Sequence, residues 1–511
     1  MAPFTRKNAW NNQGTFANPD LLWYAKGVGA MQAKALSDEN SWWFFAAMHG
    51  EYLAESKFPG WGQIPGLPRV PSNPVPSPAI QDEFWNQCQH QSWFFAPWHR
   101  GYLIALEAQI RTEIVGMGGP SDWALPYWNY FGPNDQYKIP PAFTQQSLPD
   151  GTTNPLYVTA RYGPKGNGTV YIEIPPISKA CQSNTVYTGT NAETPSPGYG
   201  GPSTGFSHGG NVSGNLESNP HNLIHVQVGG QVSDTLWGLM SDPGIAALDP
   251  IFYLHHCNID RMWAAWNAAG NKNPTDTNWL GGPASTGDRP FVMPMPNGTT
   301  WNYSPADVNS LSSLDYEYDD LFSGISTVTV NALTKRMNIL GVQPTDASTD
   351  TTMELITNSE LVGANDKTLT LDGAGLQTTI RFDSGAWKKV SKSFLNASET
   401  TMPDQIYLQI ENVKGNVDAN ILTVSVNHQL AGHISLFGLR KASKQDGHDG
   451  SGLSFILPIT PIIDSLHLEN SLNLEALDVK ILPSNPIGEK QKITVGRISV
   501  YREQQLLQRP L

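Results

Sequence analysis

The sequence predicts two units of different class: an α-helical bundle in residues 1–324 and an antiparallel β-sandwich in residues 367–511. Three observations predict it. Apolar residues recur at helical spacing in residues 19–36, 37–56, 98–115 and 249–267. From Lys367 onward the pattern changes to short runs that alternate apolar and polar. The 511 residues also exceed what one core ordinarily serves.

Taken in order, each helical stretch carries its own signals. Residues 69–78 (RVPSNPVPSP) and 195–214 are too rich in Gly, Pro and Ser to be regular, so they read as long loops between helices. Pro97 breaks any helix running from His90 to His99, so these two residues belong to different elements. Asp249 is a natural N-cap and Pro250 suits the first helical position, which starts a helix there. Residues 325–366 read as a connector across the surface. After it, runs at 368–371, 378–382, 405–410, 421–426, 433–437, 453–459, 477–482 and 493–500 read as short strands between turn residues.

Bulk properties exclude several function classes. The net charge of −13 argues against a nucleic-acid partner, because phosphate binding needs a positive surface. No stretch approaches the roughly 18 apolar residues that span a bilayer. Residues 1–14 lack the apolar core of a secretory signal, which favours the cytoplasm. Three cysteines, Cys88, Cys181 and Cys257, form no disulfide framework, and their odd number raises the question of special chemistry at one of them.

Histidine spacing is the most specific signal. His221 and His225 stand four apart in PHNLIHVQ and share one helical face, where two imidazoles chelate one ion. The zinc-protease pattern needs Glu after the first histidine, and Asn222 stands there instead. In LDPIFYLHHCNIDRMWAAW, His255 and His256 point about 100° apart, so only one of them faces a given metal. Asp260, one turn beyond His256, is placed to orient a ligand from behind. His90 and His99 lie in CQHQSWFFAPWHRGYLIALE, and His49 follows an aromatic stretch, SWWFFAAMHG. Buried neutral imidazoles without competing carboxylates suit copper.

HQSWFFAPWHR and DPIFYLHHCNIDRMW resemble the two copper signatures of tyrosinases, catechol oxidases and molluscan haemocyanins. Ala96 departs from the first signature, which usually carries a larger apolar residue or Thr there. The resemblance implies a pair of copper ions. The first would take His49, His90 and His99, and the second His221, His225 and His256, with His256 chosen over His255 because it stands four before Asp260. Cys88-Gln89-His90 is similar to the Cys-x-His of fungal members, whose sulfur is bonded to the histidine ring. Tyr316-Glu317-Tyr318 resembles the motif that closes the family's catalytic domain, and residues 405–427 resemble part of the C-terminal domain of plant polyphenol oxidases.

The implied activity is ortho-hydroxylation of small monophenols and oxidation of o-diphenols to o-quinones, with O2 as co-substrate. The resemblance assigns Glu217 and Asn222 to a water that takes the phenol proton, and Val226 and Pro243 to the substrate pocket. Pro243 stands where some catechol oxidases place a bulky Phe, which leaves the entrance open. The β-domain is expected to cover the copper pocket. The rival expectations are a diphenol-only catechol oxidase and a haemocyanin-like O2 carrier. A homo-oligomer is compatible with all three.

Overall fold

A computed structural model describes residues 4–321 and 355–507, apart from residues 175, 190–195, 366, 397–402, 445–449, 470–471, 474 and 489–490. Residues 325–354, the first part of the expected connector, therefore lie outside the described residues.

The first unit is built on α1 (Pro19–Gln32), α2 (Trp42–His49), α3 (Phe95–Gly116), α4 (Asn222–Gly229) and α5 (Ile251–Ala268), joined by long irregular loops. Local chemistry starts them: the Ser41 hydroxyl accepts from Phe44 N ahead of α2, and Asp249 Oδ1 accepts from Ile251 N ahead of α5. α3 begins three residues earlier than the sequence suggests. Pro97 is accommodated in its first turn, where its missing N–H breaks no helical bond. α1, α2, α3 and α5 bury a continuous aromatic core that includes Tyr24, Trp42, Phe45, Trp98, Phe252 and Trp266.

Strand β1 (Phe4–Arg6) pairs in parallel with β2 (Tyr316–Tyr318), so the start and the end of the first unit are hydrogen-bonded together. Beneath them Asp260 accepts from Arg100 Nε at 2.5 Å, Arg6 Nη1 at 3.3 Å, Tyr316 OH at 2.6 Å and Tyr318 OH at 2.5 Å. Burial alone would raise this carboxyl, but the two guanidiniums outweigh it and hold it below the ordinary range. The expectation that Asp260 orients a metal ligand is therefore corrected: its described partners are these four groups, and no imidazole is among them.

The second unit is an antiparallel sheet of β3 (Leu355–Ala364), β4 (Leu369–Leu371), β5 (Leu376–Phe382), β6 (Gln405–Lys414), β7 (Ile421–Val426), β8 (Gln429–Ser435), β9 (Leu453–Pro458), β10 (Ala476–Pro483) and β11 (Ile493–Leu507). The order is β8-β7-β10-β5-β3-β11-β6-β9, with β4 beside β11. The antiparallel class is as expected, but the strands form one sheet curled nearly into a barrel rather than two stacked layers. At the seam Gly432 of β8 approaches Leu457 of β9 so closely that a Cβ there would sit 3.1 Å from its side chain. The sheet also begins at Leu355, within the segment expected to be connector. The helix Ser384–Asn396 packs Trp387, Val390 and Phe394 into the sheet's own core.

Candidate metal centre

Six imidazoles converge from five places in the first unit. His49 ends α2, His90 lies in the loop before α3, and His99 is in the first turns of α3. His221 immediately precedes α4, His225 sits one turn into it, and His256 is on α5. All six are buried. His49, His90 and His99 form one compact group, and His221, His225, His255 and His256 form another. The groups abut, with the rings of His99 and His256 stacked at 4.3 Å.

Five of the six rings are oriented from behind through Nδ1. His49 donates to Pro243 O (3.1 Å), His90 to Glu217 Oε1 (2.9 Å) and His99 to Phe95 O (2.8 Å). His221 donates to Asn222 Oδ1 and His225 to Met240 O, each at 2.8 Å. An oxygen on Nδ1 fixes the tautomer and leaves Nε2 as the free lone pair. These Nε2 atoms crowd together: His49–His90 3.3 Å, His221–His225 3.1 Å and His221–His256 3.2 Å. His99 Nε2 is buried without a hydrogen-bond partner. An ion about 2.0–2.1 Å from each nitrogen in a tetrahedral arrangement needs nitrogens roughly 3.3 Å apart. The donor set therefore fits two three-imidazole metal ions.

Electrostatics agrees. Burial, followed for most rings by the neighbouring imidazoles, pushes every one of these histidines well below its ordinary pKa, His99 and His225 to about 3. They are neutral at pH 7 and ready to ligate. Gly50, just after His49, is required by close approach: a Cβ there would sit 3.0 Å from Pro243 O, the atom that holds His49. His255 stacks on His221 at 5.2 Å with both nitrogens unpartnered among the described residues, whereas His256 brings its Nε2 to that of His221.

The remaining expected residues surround this core. Glu217 accepts from Gln91 N and Nε2 as well as from His90, and burial pushes its carboxyl up to about 8. Asn222 Nδ2 donates to Ser213 Oγ at 3.4 Å, and Ser213 also bonds Glu217, so the serine joins the two. Sequence reasoning missed Ser213 and Gln91. Gln91 adopts a left-handed φ of 49°, a conformation that side chains leave no mark of in the sequence. Cys88 Sγ lies 3.2 Å from His208 Nδ1 and burial pushes its thiol up to about 12. Pro243 lines a cavity of about 20 Å3 with His90, and Val226 lines one of about 240 Å3 between the two units.

Residues 39–269 match the family described as the common central domain of tyrosinase, and residues 358–503 match a domain of unknown function (DUF7868). A tyrosinase of Hahella sp. (strain CCB-MM4), HcTyr1, is 30% identical over 511 residues, covering 98% of this chain and 99% of its own. The chain belongs to the tyrosinase family. A latent chloroplastic polyphenol oxidase of Prunus armeniaca is 36% identical over 201 residues, 37% of this chain and 32% of its own. Latent apple tyrosinase shares the fold, with a TM-score of 0.57 at 19% identity over 98% of this chain and 97% of its own. The protein is thus a phenol-oxidising enzyme of the tyrosinase and polyphenol oxidase kind, with two copper ions and O2 as co-substrate. No helix among the described residues is long and apolar enough to cross a membrane.

In this family member the sheet unit reaches into the metal centre. Phe437, on the turn after β8, stacks on His225 with ring centroids 4.2 Å apart and planes at 24°, and lies 6.0 Å from His221 and 6.3 Å from His90. It packs with the helical core rather than with the sheet's own core. The units are tied nearby by Ser435 Oγ to Asn222 O (2.9 Å), Arg440 Nη1 to Asp242 Oδ2 (2.6 Å) and Ser454 N to Asn211 O (2.6 Å).

Proposed function

We propose that the chain is a latent tyrosinase that hydroxylates monophenols and oxidises o-diphenols. Its catalytic unit is residues 1–324, and its covering unit begins with the strand at Leu355. In this reading His49, His90 and His99 hold one copper and His221, His225 and His256 the other. The observation that carries the proposal is the polar strip Glu217–Ser213–Asn222, set in an apolar wall beside imidazoles of both groups.

When bound by these imidazoles, the copper pair would activate O2 and pass to it the two electrons drawn from each diphenol. The protein supplies orientation, dryness and a path for one proton. Phe95, Phe252 and Trp98 pack around the ligand rings and exclude water. His225 presents a flat imidazole face, now covered by Phe437, on which a phenol ring stacks when the cover lifts. Val226 and Pro243 then border the ring, and the strip receives the phenol proton through a water between Glu217 and Asn222.

The proton path makes a prediction that separates this reading from diphenol-only oxidation. A phenol holds its proton to about pH 10, as the tyrosine side chain does, whereas a catechol ionises more easily. Asn222→Ala and Glu217→Gln are expected to depress monophenol kcat/KM by about 10²-fold, in line with loss of general-base help. Diphenol turnover should fall severalfold at most. Steady-state rates on a matched monophenol and catechol, with copper content assayed in parallel, provide the check. Equal losses on both substrates would reduce these residues to ligand positioning, and wild type without monophenol turnover would leave a catechol oxidase.

A Cys88–His90 thioether belongs to the same proposal. One hydrogen leaves the sulfur and one leaves the ring, and the two electrons pass to O2. Peptide mapping of copper-loaded protein should find the peptide two mass units light and resistant to alkylation. A freely alkylated Cys88 would show that its sulfur simply rests against His208.

A further inference from the structure

The guanidinium of Arg440, which the sheet unit inserts beside the metal centre, is held by a pocket made of catalytic-unit residues. Asp242 receives Arg440 Nη1 at 2.6 Å, and Glu55 stands 4.0 Å from Nη2 while pairing at 3.3 Å with Lys444, a second cation of the sheet unit. The rings of Trp237 and Tyr52 lie 5.2 and 6.0 Å from the guanidinium carbon. Two carboxylates and two aromatic rings are the components of a cation-recognition site. Asp242 is fully buried, and the other described contacts of its carboxylate with the catalytic unit are the Gly244 N–H and the Tyr52 hydroxyl, both neutral groups.

This pocket adjoins the substrate site. Pro243, next to Asp242, accepts from His49 and lines the same small cavity as His90 and Phe437. Gly438, at a left-handed φ of 85°, turns the sheet unit's chain against Pro243. One short loop, Phe437 to Arg440, thus carries an aromatic ring on His225 and a cation on Asp242. Its remaining carboxylate partner, Asp418, belongs to the sheet unit and departs with it.

We propose that Asp242, Glu55, Trp237 and Tyr52 form a subsite for the positively charged arm of a phenolic substrate, a subsite that the covering unit fills with Arg440. The inference rests on the cover reading given above. Lifting the cover removes the ring and the cation together and leaves two carboxylates facing the entrance. The enzyme then selects phenols bearing an ammonium or guanidinium over phenols bearing a carboxylate.

The test uses full-length, copper-loaded protein and 4-hydroxyphenyl substrates on arms of increasing length, each ending in an ammonium, an alcohol or a carboxylate. In Phe437→Ala/Arg440→Ala/Lys444→Ala, which also frees Glu55 of its 3.3 Å partner, the ammonium series should exceed the carboxylate series in kcat/KM by about tenfold at the best arm length, the worth of one charge-assisted hydrogen bond. Adding Asp242→Asn should bring that ratio near one, and Glu55→Gln, at a partly exposed site, should lower it by about two- to threefold. Added salt should shrink the ammonium advantage and leave the alcohols unmoved. If the alcohols are turned over no faster than in wild type, the cover reading falls and the subsite with it. If the alcohols speed up but the ratio stays near one, or is salt-independent and indifferent to Asp242→Asn and Glu55→Gln alike, the subsite alone is refuted.

Discussion

Phe437→Ala in the copper-loaded, full-length protein is expected to raise turnover of small phenols at least about tenfold with no change in copper content. The ring fills the space over His225, and the cavity it lines with His90 and Pro243 is only about 20 Å3, room for little more than one water. A phenol reaches that imidazole face only after the ring is displaced. Truncating a packed Phe removes about 3–5 kcal/mol of contacts, so even a fraction of that value in the opening step is worth one or two powers of ten. The variant leaves Arg440 on Asp242 and Ser435 on Asn222, so the units stay docked and bulky phenols should gain less than small ones. Steady-state rates on a graded series of phenols, with copper measured by atomic absorption, check this. Unchanged kinetics for every member of the series would show that the sheet unit serves stability or assembly and does not cover the site.

His256→Ala is expected to abolish activity and one copper equivalent, while its neighbour His255→Ala keeps both coppers. His256 Nε2 lies 3.2 Å from that of His221, and its ring stacks on His99, so it stands at the junction of the two imidazole groups. Losing a first ligand should cost more than the roughly 10–100-fold in affinity or activity that loss of an outer partner costs. His255 touches His221 only through a ring face, and removing it strands no polar partner. Its expected penalty is a cavity and a looser His221 ring. Copper stoichiometry of the two purified variants decides the matter. A His255→Ala protein that alone loses copper would transfer the assignment.

Several of these relations were legible in the sequence because local geometry produces them. Spacing of four puts His221 and His225 on one face of any helix, and they meet at 3.1 Å. Pro97 marks the separation of His90 from His99, although it sits inside the first turn of α3 instead of ahead of it. The same reasoning misled for Asp260. Its spacing from His256 does place it one turn on, but Arg6 and Arg100, brought from distant segments, occupy its oxygens. A carboxylate near a histidine in sequence goes to whichever buried cation reaches it, because an unpaired guanidinium in the core costs more than an unassisted imidazole.

By itself, the sequence determined the helix periods, the antiparallel class of the second unit and the dicopper chemistry of the tyrosinase family. All of these depend on residue type and short-range spacing, which backbone geometry translates directly into position. Only the tertiary structure decided what stands on the other side of the pocket. Phe437 over His225 and Arg440 in the pocket of Asp242 are contacts between segments far apart in the chain. Such contacts arise when two separately formed cores dock, and they leave no periodic trace. A phenylalanine at a turn after a β-strand reads the same whether it faces its own sheet or the copper ligands of another unit.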